Sequence, residues 1–326
     1  MTSAAFNVLK ILDRHEEKIS GEKISEELGI SRSAVWKHIE ELRHLGYEIE
    51  ASPKEGYHLI QRTTKLLPYE IKRHLRTKRI GSDIHYVAST PSTIWLGKQM
   101  IREIERDAGD GLVIIAEEQT GGIGRLGRSW ASPFGGIWTT IVIRPSIPIS
   151  SAFMIMMAAS VAVARAIRKE YDIGALIKWP NDIFIGDKKV AGMHLELSAE
   201  ADVIHYCLLS IGIDVNVSVA ELMPVLNREV TSISEELGYE VDRAKFLARL
   251  LTEFERRYTL VEKNEYEALT REWKSLSCTL EHRVEIRTLK KTFEGEAIDI
   301  DDHGALIIRK DNGKIERVIA GDCHIL

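Results

Sequence analysis

Leu112-Val-Ile-Ile-Ala116, with Thr120-Gly-Gly-Ile-Gly-Arg-Leu-Gly-Arg-Ser-Trp130 close behind it, is the stretch around which the chain is organised. The apolar run predicts a buried strand. Glycine lets backbone N–H groups turn toward a ligand, and arginine adds a permanent charge with a donor fork suited to phosphate and carboxylate. Together they predict an anion-holding loop at the end of a buried strand.

The same loop contains Gly122-x-Gly124-x-x-Gly127, the glycine pattern of a dinucleotide-binding turn. That pattern requires a helix directly afterwards and an acidic residue about 20 positions on. Ser132-Pro-Phe-Gly-Gly136 interrupts any helix, and Ile141-Val-Ile-Arg-Pro145 holds no acidic residue. The chain also lacks a Gly-x-x-x-x-Gly-Lys-Ser/Thr sequence. We therefore expect neither a NAD site nor a P-loop.

Length and composition indicate a globular protein of two or three domains. The 326 residues are 44% hydrophobic and 29% charged, with a net charge of −5, which neither indicates nor excludes a nucleic-acid partner. We expect no membrane partner and a cytoplasmic location, because no apolar run reaches about 18 residues and no signal-peptide pattern opens the chain. Three widely spaced cysteines have no metal-type spacing, so we expect buried free thiols and no metal-ligating residues.

Residues 1–63 have the layout of a winged helix-turn-helix domain. Apolar residues at helical spacing mark three helices, and Gly29-Ile-Ser31 forms a tight turn before the third. Two short extended pieces follow, joined by a turn at Pro53-Lys-Glu-Gly56. In such domains the third helix enters the major groove, so the predicted DNA-contacting residues are those on its polar face: Ser31, Arg32, Ser33, Trp36 and Lys37.

The alternative for residues 1–63 is a small docking domain without DNA contact. Nine Lys and Arg residues stand against eleven Asp and Glu residues there, whereas phosphate binding normally requires a basic face. The acidic residues precede the third helix for the most part, which favours DNA binding. Residues 64–80 are a basic connector, interpreted either as a solvated face at a domain junction or as a source of phosphate contacts.

The rest of the chain divides into a central α+β domain, 81–272, and a small C-terminal β-barrel, 273–326. Predicted strands outnumber helices in the centre and often follow one another directly, which favours a mixed sheet. The predicted central strands are 84–87, 112–116, 138–143, 176–179, 183–185, 193–197 and 206–217. The predicted central helices are 93–106, 152–171, 220–226 and 242–258.

Three further stretches carry candidate chemistry beside the glycine loop. Ser89-Thr-Pro-Ser-Thr93 precedes a helix and suits either a polar ligand or simple N-capping. Lys178-Trp-Pro-Asn-Asp182 places a carboxylate and an amide at a strand end, or is an ordinary turn. Gly186-Asp-Lys-Lys-Val-Ala-Gly192 is a hairpin in which either lysine is solvated or one reaches a phosphate.

These residues together resemble the biotin–protein ligase family, in the bifunctional form that also represses biotin genes. The family's glycine loop is matched at Gly122–Trp130, its Lys-Trp-Pro-Asn-Asp at 178–182, and its lysine before x-Ala-Gly at Lys189. The family's Ser-Thr pair is matched at Ser89-Thr90. The resemblance covers the full length and implies a class II synthetase-like catalytic domain and an SH3-like C-terminal barrel.

The resemblance implies that biotin and ATP, which carries Mg²⁺, react to biotinyl-5′-AMP, and that biotin then passes to a lysine of a biotin carboxyl-carrier protein. It implies operator DNA of biotin genes as a partner, and a homodimer when biotinyl-5′-AMP is bound. It implies catalytic roles for Lys189, Arg125 and Asp182. The implied biotin-binding residues are Ser89, Thr90, Pro91, Gln119, Gly122, Ile123, Gly124, Arg125, Lys189 and Gly192. The implied adenylate-binding residues are Arg125, Arg128, Trp130, Asn181, Asp214 and Asn216.

Three positions depart from the family pattern in ways that affect individual contacts. Ile123 replaces the first loop arginine, Pro91 replaces a common asparagine after Ser-Thr, and Asp214 replaces an asparagine in the family's Gly-Ile-Gly-Ile-Asn-x-Asn strand. An ionised Asp214 cannot donate a hydrogen bond as asparagine does. Three alternatives to the ligase–repressor stay open at this point: a ligase whose winged helix has no regulatory role, a lipoate-type ligase, and a regulator without catalysis.

Overall fold

The computed structural model describes residues 2–52, 55–103, 109–222, 230–288 and 290–326. The described chain divides into two compact units, Met1–Tyr69 and Glu70–Leu326. The first unit contains three helices and a two-stranded sheet, in chain order α1 Ser3–Arg14, α2 Gly21–Leu28, α3 Arg32–His44, β1 Glu48–Ser52 and β2 Gly56–Gln61. This order of elements confirms the predicted helix-turn-helix with a wing.

Local chemistry explains where these helices begin and end. The side chains of Thr2, Ser20 and Ser31 accept hydrogen bonds from backbone N–H groups in the first turns of α1, α2 and α3, as N-caps do. Gly29 ends α2 with φ of 63°, a left-handed conformation that favours glycine. The wing strands pair antiparallel; residues 53–54 of their predicted turn lie outside the described residues.

Helix α4, Pro68–His74, lies in the predicted connector. Beyond it, the backbone N–H groups of Lys78, Arg79 and Ile80 all donate to the carboxylate of Glu255, at 2.7–2.9 Å. Arg79 also forms an ion pair with Glu262, at 2.8 Å. This part of the connector is therefore attached to the second unit, and one of its basic side chains is paired internally.

A seven-stranded mixed sheet is the centre of the second unit. Its elements in chain order are β3 Ile84–Thr90, α5 Thr93–Glu103, β4 Val113–Gln119, β5 Ile137–Ile143, α6 Phe153–Tyr171, β6 Ala175–Lys178, β7 Asp182–Ile185, β8 Lys188–Glu200, β9 Val203–Ile213, α7 Val219–Leu222, α8 Ile233–Leu237, α9 Arg243–Glu262 and α10 Tyr266–Lys274. The strand order is β3-β4-β5-β9-β8-β7-β6. Only β3 and β4 pair in parallel, which confirms the predicted mixed sheet.

All seven predicted central strands are present, with shifted ends. The largest shift is in β8, which begins at Lys188 rather than at 193, because only two residues turn between β7 and β8. Helices α8 and α10 were not predicted. The predicted helix ends at 104–106 and 223–226 lie outside the described residues.

Helix α6 is the core helix of the second unit. The segment Ile149–Tyr171 is long and apolar enough to span a membrane by length and composition alone, contrary to the expectation from the sequence. However, 78% of its apolar window is buried inside the fold, and α6 packs against α9 and against strands β6, β7 and β8. Its composition therefore reflects burial within the protein.

The C-terminal elements form a five-stranded antiparallel sheet. In chain order they are β10 Arg283–Arg287, β11 Thr292–Ile300, β12 Leu306–Arg309, β13 Ile315–Val318 and β14 Asp322–Ile325. The strand order is β13-β12-β11-β10-β14, so the predicted all-β domain is confirmed. Strand β14 was not predicted.

Candidate active site

A cavity of about 360 Å³ lies between the glycine loop, the start of α5, the β6–β7 turn, the central strands and β14. Its size is that of a small-molecule site. It brings together many of the residues predicted from sequence, namely Gln119, Ile123, Gly124, Arg125, Arg128, Trp130, Asn181, Asp182, Lys189 and Gly192.

A pair of glycines forms the floor of this cavity. Gly212 of β9 is paired with Trp138 on one side and Gly192 on the other, and Gly192 is paired with Asp182. The indole of Trp130 covers both glycines: a Cβ atom at Gly192 or Gly212 would lie only 2.9 or 2.8 Å from it. Only glycine at these two positions lets the loop approach the sheet so closely. Gly212 was missed from sequence, although it stands in the quoted strand motif.

Lys189 and Asp182 form an ion pair inside the cavity. Lys189 Nζ is 2.5 Å from Asp182 Oδ1 and 4.9 Å from the centre of a Trp130 ring, a cation–π distance. Lys189 is only 5% exposed. The pairing of β7 with β8 is irregular between Ile183 and Phe184, whose partners in β8 are Ala191 and Lys189. This irregularity changes which side chains of β8 point toward the cavity. The cavity therefore receives Lys189, while Lys188 is exposed.

The two loop arginines attach the glycine loop to other elements. Arg125 donates to Asn181 Oδ1 at 2.9 Å and to the Gly321 carbonyl at 3.3 Å, and Arg128 forms an ion pair with Asp322. Burial lowers the pKa of Arg125, and the carboxylates of Asp322 and Asp182 oppose this effect. The cavity thus holds a concentration of positive charge that the neighbouring carboxylates balance.

Gly122 shapes the loop without lining the cavity. A Cβ there would meet the Trp130 carbonyl at 2.4 Å, and the Trp130 N–H donates to the Gly122 carbonyl at 2.8 Å. The two ends of the loop are therefore in direct backbone contact, which only glycine allows at this distance.

The predicted hydroxyl pair, Ser89 and Thr90, does not line the cavity, and neither does Pro91. The carbonyls of Thr90 and Pro91 accept hydrogen bonds from the N–H groups of Thr120 and Gly121, so this segment anchors the start of the loop. The cavity is lined instead by Ser92 and Thr93, three residues further on, where α5 begins. The sequence contains two Ser-Thr pairs, and only the tertiary structure distinguishes them.

A chain of hydrogen bonds runs along the polar end of the cavity. Gln119 Oε1 accepts from the N–H and the hydroxyl of Thr93, at 2.8 and 3.1 Å. Thr140 donates to Thr93 at 2.8 Å and shares a 2.6 Å bond with Ser210. Gln119 also donates to Ser132 at 2.9 Å. These bonds connect three strands, α5 and the loop, and they hold a row of polar side chains in place.

Asp214 and Asn216 do not line the cavity either. The Asn216 amide donates to the Val241 carbonyl at 2.9 Å and accepts from the Val241 N–H at 3.0 Å, so it secures a loop. Asp214 is 2% exposed. Burial raises its pKa well above the ordinary value, and Lys189 opposes that effect.

The cysteines and acidic groups form no metal site in the described ranges. No group of three or more His, Cys, Asp or Glu side chains there is suited to hold a metal ion. The three cysteines are free thiols; Cys207 and Cys323 are buried and Cys278 is partly buried. Cys323 lines the cavity together with its β14 neighbours Asp322 and His324.

The first unit presents the predicted DNA-contacting residues on one exposed surface. Ser31, Arg32, Ser33 and Lys37 are exposed, and Trp36 is 55% exposed. The opposite face of α3 is buried through Val35, Ile39 and Leu42.

Comparison with known proteins defines the class. Residues 86–216 match the biotin/lipoate A/B protein ligase family, residues 5–58 an HTH domain and residues 279–326 the biotin protein ligase C-terminal domain. The fold is also that of the biotin protein ligase from Aquifex aeolicus solved with biotin and ATP, with a TM-score of 0.64 and 22% identity over 75% of this chain and 99% of that one. The matched family models are those of a protein ligase domain preceded by a helix-turn-helix domain.

Proteins similar in sequence along most of the chain identify the family. The bifunctional ligase/repressor BirA of Bacillus subtilis is 37% identical over 310 residues, covering 95% of this chain and 94% of that protein. The Escherichia coli protein of the same name is 29% identical over 307 residues, covering 94% and 92%. This chain belongs to the bifunctional ligase/repressor BirA family.

Proposed function

We propose that this protein activates biotin with ATP, transfers it to a lysine of a biotin carboxyl-carrier protein, and represses biotin genes when biotin is abundant. The observation that carries the ligase assignment is the ion pair between buried Lys189 and Asp182, in a cavity that also contains Arg125 and Arg128. Such a site can bind two anions that repel each other, and then assist an incoming amine.

In the first step, a carboxylate oxygen of biotin attacks the α-phosphorus of ATP, and pyrophosphate leaves. Lys189 and Arg125 are proposed to neutralise the negative charge that gathers on the reacting carboxylate and phosphate, and to hold them in line. Mg²⁺ enters as part of the ATP substrate. Asn181 is proposed to act through Arg125, because it accepts from that guanidinium and donates to the Met193 carbonyl at 2.7 Å.

In the second step, the ε-amine of the carrier lysine attacks the acyl carbon, the amide forms and AMP leaves. Asp182 is proposed to orient this amine and to accept its proton. Lys189 leaves Asp182 when it binds the adenylate, so the carboxylate becomes available at the step that needs it. Arg128 and Trp130 are proposed to retain the adenylate, and the indole of Trp130 is proposed to pack over it.

The ligase assignment is tested by comparing two adjacent lysines. Lys189→Ala removes the cavity cation, and we expect carrier labelling, detected with streptavidin, to fall by about 100-fold or more, as for other groups that stabilise transition-state charge. Lys188→Ala is the matched control, because Lys188 is exposed and pairs with Glu236 at 3.5 Å. Unchanged labelling by Lys189→Ala would contradict the role of that lysine.

The repressor assignment rests on the exposed face of α3. Two such helices, brought together in a homodimer of biotinyl-5′-AMP-bound chains, can contact two half-sites of an operator. We assign DNA binding to residues 1–63, catalysis to 81–272 and support of the site to 273–326, and we place the protein in the cytoplasm with its carrier and its operator.

A gel shift on the promoter of this protein's own biotin genes tests this assignment. We expect binding to strengthen when biotin and ATP are present, and to weaken with salt because phosphate contacts release counterions. Trp36→Ala should reduce operator binding while leaving carrier labelling intact. Binding that ignores biotin and ATP would show that the helix-turn-helix domain does not respond to the ligand.

A further inference from the structure

His194 is a titratable side chain of the cavity that takes no part in the two proposed reaction steps. His194 of β8 lines the cavity and is the cross-strand neighbour of Ser210, which is in turn the neighbour of Thr140. Thr140, Ser210 and His194 therefore form one polar row across β5, β9 and β8. The row lies two residues along from the glycine pair Gly212 and Gly192, on the same face of the sheet.

Three charged groups surround His194. Its Nε2 atom is 3.5 Å from Glu196 Oε1, longer than the roughly 3.2 Å limit of a good hydrogen bond. Glu196 is also bound by Lys98 of α5, at 2.5 Å. Burial is the largest influence on the pKa of His194 and lowers it; Arg125 and Lys98 lower it further, while Glu196 raises it. The imidazole is therefore neutral at physiological pH.

Two polar side chains near His194 use their hydrogen-bonding groups within the protein. The Thr140 hydroxyl is bonded to Thr93 and Ser210, and the Gln119 amide is bonded to Thr93 and Ser132. A neutral imidazole has one donor and one acceptor. His194 thus places both kinds of group beside the glycine floor, where an elongated acid with its carboxylate at Lys189 would place its far end.

We propose that His194 contacts the acid substrate directly, and that its neutral imidazole hydrogen-bonds the polar ring at the end of the substrate remote from the carboxylate. This inference rests on the proposed function, because the cyclic urea of biotin supplies both N–H donors and a carbonyl acceptor. His194 is then a specificity residue as well. A substrate whose ring lacks such groups, such as lipoate, leaves the partly buried imidazole without a partner, which a site of this kind disfavours.

The proposal has a pH signature. If biotin binds only the neutral imidazole, binding below the pKa of His194 must release a proton, and the affinity falls by up to about tenfold for each pH unit. Above that pKa, the affinity is independent of His194 ionisation. Because burial places the pKa of His194 below the ordinary 6.5, the loss occurs only on the acidic side of that value.

Calorimetric titration of the full-length protein with biotin alone, between about pH 5 and pH 8, tests the proposal. We expect His194→Leu to weaken biotin binding by about tenfold at pH 8, as the loss of one hydrogen bond does. This variant should also lack the fall in biotin affinity at acidic pH, here called the acidic decline. His194→Gln keeps a neutral donor and acceptor, so it should restore the affinity and also bind independently of pH. Thermal melts of both variants establish that they are folded.

Two histidines serve as controls. His205→Gln is matched, because His205 Nε2 is also 3.5 Å from a carboxylate, that of Glu200, but His205 does not line the cavity. His324→Gln alters an exposed histidine of β14 that does line it. Both should retain the acidic decline.

Each outcome is decisive. An acidic decline that persists in folded His194→Leu overturns the proposal, and so does a decline that His205→Gln or His324→Gln abolishes. If the parent protein binds biotin at pH 8 and labels its carrier, such a result rejects the role of His194 alone. If the parent binds no biotin at pH 8, the proposed function itself is rejected.

Discussion

Adjacent residues in this site differ in function because of the direction in which each side chain points. Lys188 and Lys189 are chemically identical; the hairpin pattern predicts only that one of them can reach a phosphate, and the family motif indicates Lys189. The pairing of β7 and β8 places Lys189 in the cavity, 2.5 Å from Asp182. Lys188 is left exposed, near Glu236. Spacing along the chain cannot reveal this difference, because it depends on an irregularity in strand pairing.

Asp214 provides a prediction about stability at this scale. Its buried carboxyl keeps a proton in the folded protein that the unfolded chain loses near the ordinary pKa of 3.8. Its contribution to stability is therefore complete below that pH and is lost as the pH rises through the folded-state pKa. Between pH 3.8 and the folded-state pKa, we expect the free energy of unfolding of Asp214→Asn to exceed that of the parent protein. This margin should grow by up to about 1.4 kcal/mol per pH unit.

Urea unfolding at several pH values measures that margin. Asp202→Asn is the control, because Asp202 is exposed in the turn between β8 and β9, and its margin should stay near zero. A margin for Asp214→Asn that does not change with pH would show that the carboxyl is not held protonated by the fold.

At the level of elements, the glycine loop depends on contacts that come from distant parts of the chain. Trp130 lies on Gly192 and Gly212, and Arg128 pairs with Asp322 of β14. The sequence predicts the loop itself, since its glycines and arginines are contiguous. It does not predict β14 as part of the site, because that strand is short and is far from the loop in sequence.

One turn of the C-terminal sheet domain packs against α6, and this contact can be tested. The Gly304 carbonyl accepts from Trp179 Nε1 at 3.1 Å. A Cβ at Gly304 would lie 2.5 Å from both Met157 and Phe153 of α6, and φ there is +80°. We expect Gly304→Ala to lower the free energy of unfolding by about 2 to 4 kcal/mol, from overpacking together with backbone strain.

Gly313→Ala separates these two effects. Gly313 has a similar φ of +77°, but an added Cβ would have no neighbour within 4 Å, so only strain of about 1 to 2 kcal/mol applies. Chemical denaturation of both variants gives the comparison. Equal losses would mean that the contact of this turn with α6 contributes nothing.

For the whole molecule, the division into Met1–Tyr69 and Glu70–Leu326 predicts two thermal transitions. Biotin with ATP should raise only the transition of the larger unit, because the cavity lies entirely within it. At 100 times the dissociation constant, a ligand stabilises its site by about 2.7 kcal/mol, which corresponds to about 5 °C or more for a unit of this size.

Differential scanning calorimetry, with and without the two ligands, measures these transitions. The pair Trp36→Ala and Lys189→Ala serves as a control, since only the second should abolish the shift. A single transition that moves as a whole would show that the two units unfold as one.

The sequence alone determined the order of the domains, the seven strands of the central sheet and the residues of the glycine loop, because these depend on local periodicity and on contiguous motifs. Tertiary structure alone decided which Ser-Thr pair faces the cavity. It also decided that Asn216 secures a loop, that Asp214 is buried outside the cavity, and that His194 joins the polar row. These outcomes depend on strand register and on packing between distant segments, so no local pattern in the chain records them.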